Sequence, residues 1–72
     1  MIRPRFTEPQ ARLFGALREA QDPIPEPELR RVVGRGNLHE VAAMVTCKLL
    51  LAGVRRRVRC RPGKPTTWML TR

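Results

Sequence analysis

Arg55, Arg57, Arg59 and Arg61 occupy alternate positions between Gly53 and Pro62, with Val54, Arg56, Val58 and Cys60 interleaved. A period of two belongs to a strand, so one face of this segment is an arginine row and the other is mostly apolar. A guanidinium offers a planar fork of donors that fits phosphate and carboxylate oxygens better than an ammonium does. Such a row has two uses. Its charges can shield an exposed sheet edge against pairing, or they can hold an anion that relieves their mutual repulsion, as a phosphate backbone would. Four like charges on one short strand are more than edge protection needs, which favours the anion. The whole chain leans the same way: fifteen Lys and Arg stand against six Asp and Glu, a formal charge of +9, and only Lys48 and Lys64 are lysines. A polyanion is the partner this charge attracts.

Catalysis finds little material. The chain contains no serine, no tyrosine, one aspartate (Asp22) and one histidine (His39), so no nucleophile and base are paired by type. Cys47 and Cys60 are too far apart in sequence for a close metal-binding pair, and His39 lies eight residues before Cys47. Both cysteines read as reduced, small hydrophobes, with no metal or other cofactor expected. No apolar run approaches the roughly 20 residues that cross a bilayer, and the N-terminus lacks a signal-peptide layout. The expectation is a cytoplasmic, non-enzymatic protein with no membrane partner.

The elements that must position the arginine row follow from caps and periodicity. At 72 residues, one modest core and one domain spanning 1–72 are expected, ordered over about 7–71. Thr7 and Gln10 have capping-box spacing, and Leu13, Phe14, Leu17 and Ala20 share one face of a helix running to about Gln21. Asp22, Pro23 and Pro25 enforce an extended segment in which Ile24 plugs the core. A short helix from Glu26 turns Leu29, Val32 and Val33 inward and stops at Gly34. Asn37 caps a third helix, with Glu40 completing the box, and Gly53 ends it after Ala52. Leu38, Val41, Ala42, Val45, Leu49 and Ala52 face the core. The arginine strand follows, and Pro62 and Gly63 return the chain into a second strand. Val58 opposite Trp68 keeps the apolar faces together.

This order resembles the winged helix-turn-helix family from Thr7 to Thr71. The resemblance is carried by the helix Leu29 to Gly34, by Leu49, Gly53 and Val54 closing the third helix, and by the ending Lys64-Pro65-Thr66-Thr67-Trp68-Met69-Leu70-Thr71. It implies a small α+β winged helix: three helices, a short strand after the first, and a C-terminal two-stranded wing. It also implies a third helix lying in a major groove while the wing touches backbone or minor groove. On that reading Arg55, Arg57, Arg59, Arg61 and Lys64 are wing contacts, Arg35 and Lys48 add phosphates, and His39, Glu40 and Ala43 face bases. The outer side of the third helix carries no arginine, so guanine readout by a bidentate arginine there is excluded.

The function these features imply is duplex-DNA binding by a small bacterial or phage-type transcriptional regulator, nucleoid-associated or resident in a host cytoplasm. The alternative is a protein-interaction module or inhibitor that docks its basic wing on an acidic protein surface. RNA ranks third, for want of an aromatic platform. Met44, Leu50 and Leu51 put apolar side chains where a domain this small cannot cover them, which predicts a protein interface, most simply a homodimer.

Overall fold

The computed structural model describes residues 4–34 and 36–71. It is a small α+β domain of three helices and a three-stranded antiparallel sheet, in the order α1 (Glu8–Glu19), β1 (Ile24–Pro25), α2 (Glu26–Val33), α3 (Leu38–Leu51), β2 (Val58–Arg61), β3 (Thr67–Leu70). No helix among the described residues is long and apolar enough to cross a membrane.

Local chemistry fixes the helix ends. The Thr7 N–H donates to Gln10 Oε1 at 3.0 Å, the return arm of a capping box. Asn37 Oδ1 accepts from the N–H groups of His39 (3.0 Å) and Glu40 (3.3 Å). That cap is Asn37's alone, since no hydrogen bond from the Asn37 N–H to the Glu40 carboxylate is found among the described residues to complete the expected box. At the other end of α3 the Gly53 N–H reaches Leu50 O (3.0 Å) and the Val54 N–H reaches Leu49 O (2.9 Å), the paired bonds of a Schellman turn. Gly53 makes this turn at φ 78°, and Gly34 stops α2 at φ 85°.

The core is one cluster: Leu13 and Leu17 from α1, Leu29 and Val33 from α2, Leu38, Ala42, Val45 and Leu49 from α3, and Trp68 and Leu70 from β3. Helices cover one face of the sheet. Ile24 packs against this cluster half-buried, as expected, but Ala20 and Val32 are exposed. Helix α1 stops at Glu19, so Ala20 is already its extended C-cap. Helix α2 is only two turns long and is buried through Leu29 and Val33 alone, which leaves Val32 on its flank.

The sheet departs from the sequence reading in three ways. The extended segment is not separate from the hairpin: Ile24 pairs with Trp68 and Pro25 with Thr67, giving the order β1-β3-β2 and a three-stranded sheet in place of a two-stranded wing. The hairpin register is shifted by two, with Val58 opposite Leu70 and Cys60 opposite Trp68. A slip of two keeps every side chain on its expected face, so the apolar alternation cannot distinguish the two registers. Finally, β2 begins only at Val58. Arg55 and Arg57 therefore precede the strand, and the arginine row has two rungs in the ladder, not four.

Two threonines hold the start of this strand. The Val58 N–H donates to Thr46 Oγ1 of α3 at 3.0 Å, and the Arg57 N–H donates to Thr71 Oγ1 at 3.1 Å. Thr71 returns its own N–H to Arg57 O at 2.8 Å. A side-chain oxygen thus takes the Arg57 N–H that a ladder carbonyl would otherwise have accepted, and another satisfies the Val58 N–H on the open edge of β2.

Candidate nucleic-acid interface

The surface that matters is assembled where α3 meets the edge strand β2. His39, Ala43, Cys47 and Leu50 on α3, with Val58 and Cys60 on β2, line a shallow groove of about 460 Å³. Its continuation toward the C-terminal end of α3 is lined by Thr46, Leu50 and Val54 and by Arg55, Arg56, Arg57 and Arg59. The helix supplies an apolar wall and the segment after it supplies the charges. Thr46 holds the two together through its bond to the Val58 N–H.

The arginines differ in what they do. Arg55, Arg57, Arg59 and Arg61 are exposed, and among the described residues no ion pair involves any of them. Arg59 and Arg61 lie opposite Met69 and Thr67 on the sheet face turned from the helices, and Lys64 stands exposed in the turn beyond them. Arg56 is different: half-buried, it donates from Nε to Thr71 O at 3.1 Å and serves the fold. Among the described residues the arginines that do form ion pairs, Arg12 with Glu8 and Arg30 with Glu26 at 3.8 Å, sit on α1 and α2. Counting along the chain shows why. Eight of the fifteen basic residues, and none of the six acidic ones, lie after Glu40. This asymmetry between halves was legible in the sequence and is a sharper signal than the net charge.

Lys48 does not join this cationic surface. Its ammonium donates to Arg5 O at 2.7 Å and to Gln10 Oε1, and it lies 6.0 Å from the Phe6 ring centroid. Gln10 is thereby a buried junction that caps α1 with one lone pair and anchors α3 with another. Contacts across 43 and 38 residues leave no local pattern in the sequence from which either partner could be read.

His39 is exposed but not isolated. Its ring stands edge-on to Trp68 with centroids 5.0 Å apart, and its Nε2 is 3.9 Å from Glu26 Oε1. Trp68, only 2% exposed, donates from Nε1 to that same Glu26 oxygen at 3.3 Å. The indole is a core residue with its polar atom satisfied, not a stacking platform. Arg35 lies outside the described residues.

No family model, no curated protein and no solved structure matches this chain.

The remaining residues of α3 divide into two sets. Ala43 and Leu50 border the groove, whereas Met44 and Leu51, seven residues apart, share a stripe that does not line it. Leu50 is 73% and Leu51 76% exposed, and Met44 44%. The three apolar residues grouped by the sequence reading thus belong to two surfaces. Glu40 is exposed beside the groove mouth without lining it. Both cysteines are free and exposed, and no group of three or more metal-ligating side chains exists among the described residues.

Proposed function

We propose that this chain is a small DNA-binding protein, a transcriptional regulator of winged-helix type, and that it grips duplex DNA through its arginine-rich C-terminal hairpin and third helix without catalysis. The observation that carries the reading is the set of exposed arginines at 55, 57, 59 and 61, which form no ion pair among the described residues, beside the exposed face of α3 in a segment with no acidic residue after Glu40. Cations left unpaired at such density repel one another, and a phosphate backbone removes that repulsion while releasing counterions. The order helix, strand, helix, helix, hairpin, with the first strand joined to the last, supports the same reading, since it sets the third helix and the hairpin side by side.

The test is binding of a labelled mixed-sequence duplex at low salt, followed by fluorescence anisotropy. Sequence-independent association with Kd of roughly 10⁻⁴ to 10⁻⁶ M near physiological salt is expected, tightening as salt is lowered. Absence of binding at low salt would remove the reading and leave an acidic protein surface as the occupant of the same cations.

A further inference from the structure

The helix face beside the arginines is poor in hydrogen-bonding groups, and this decides what it can read. Ala43, Cys47 and Leu50 are exposed along one side of α3 and line the groove with Val58 and Cys60. Among the side chains that line that groove, strong polar groups are carried by His39, Thr46 and Trp68; the Trp68 Nε1–H is taken by Glu26, and Thr46 Oγ1 accepts from the Val58 N–H.

We propose, resting on the DNA-binding reading above, that this face selects A·T-rich duplex by packing Ala43, Cys47 and Leu50 against thymine 5-methyl groups in the major groove. The occupant is fixed by charge: the groove continues into Arg55, Arg57 and Arg59, with no acidic residue after Glu40. It is fixed further by the chemistry of base edges. A G·C pair shows the major groove two acceptors and an amino donor, and the 5-methyl of thymine is the one apolar feature any base pair offers there. An alkyl or thiol side chain pressed on a guanine or cytosine edge strips water from polar atoms without replacing its hydrogen bonds, which is penalised. The same side chain on a thymine methyl buries apolar surface on both partners. Leu50, 73% exposed in the free protein, has the most to gain. The cations act in the same direction from the other groove. A·T tracts have a narrow minor groove whose negative potential draws in arginine, and Arg61 and Lys64 flank the tip of the hairpin.

The decisive comparison uses three duplexes of equal length: an A·T-rich one, the same sequence with deoxyuridine for every thymidine, and a G·C-rich one. Loss of the methyl leaves base pairing and phosphate charge intact. Each contacted methyl is worth about fourfold in affinity, so two give roughly 15-fold tighter binding of the thymine duplex than of its deoxyuridine counterpart. The G·C-rich duplex should bind weakest. Leu50→Gln, at a position too exposed to threaten folding, should shrink the thymine preference. Equal binding of all three duplexes overturns the methyl readout and leaves the electrostatic grip standing. Binding of none overturns both.

Discussion

Arg56 and Arg57 are neighbours in sequence with opposite duties, and substitution separates them. Arg57→Ala and Arg59→Ala each remove an exposed cation and should weaken binding to every sequence alike, lowering the salt slope by about 0.9 per residue. Arg56→Ala removes the hydrogen bond to Thr71 O and should instead cost about 1 kcal/mol of stability, measured by urea unfolding. His39→Ala should change the preference between sequences if the start of α3 meets bases, and a uniform loss would assign His39 to packing against Trp68 alone. Trp68 is the residue the domain cannot lose. Trp68→Ala should cost on the order of 3–5 kcal/mol, enough to unfold a chain this small, and the wild-type indole should emit at blue-shifted wavelengths. Water-like emission from the folded protein would contradict its burial.

At the level of elements, the helices were legible and the sheet was legible only in part. Thr7, Asn37, Gly34 and Gly53 mark ends by rules that act within a turn, and each helix begins or stops where they place it. The strand register was missed because Val58 opposite Trp68 and Val58 opposite Leu70 give the same alternation of faces. The observed register sets Thr71 opposite Arg57, where the two exchange hydrogen bonds, one of them to the Thr71 hydroxyl, which no periodicity reveals. Of the candidate site, the exposed arginines could be read from parity. The withdrawal of Lys48 onto Gln10 could not, nor could the separation of Leu50 from Met44 and Leu51. Two substitutions test these devices. Thr46→Val leaves the Val58 N–H without its acceptor and should destabilise by about 1–3 kcal/mol, loosening the hairpin against α3. Gly53→Ala meets no neighbouring atom within 4 Å, so its expected cost of roughly 1–2 kcal/mol comes from the left-handed backbone alone. Thermal melts of both variants measure this, and an unchanged Gly53→Ala melt would contradict the φ of that turn.

For the whole molecule the issue is how one small cationic domain obtains enough contacts. Met44 and Leu51 form an apolar stripe apart from the groove, and we expect it to pair two copies at micromolar concentration, presenting two hairpins to half-sites roughly one helical turn apart. Sedimentation equilibrium at about 100 μM, well above a micromolar Kd, should show a dimer for wild type and a monomer for Leu51→Glu; a monomer in both removes the pairing and leaves DNA binding by single domains. The central claim, that exposed arginines after α3 hold a phosphate backbone, is tested most directly by titrating labelled duplex at a series of salt concentrations. Contacts from Arg55, Arg57, Arg59, Arg61 and Lys64 to about five phosphates predict that log K falls with log salt at a slope of about −4 to −5. A slope near zero, or no association at the lowest salt, would contradict it.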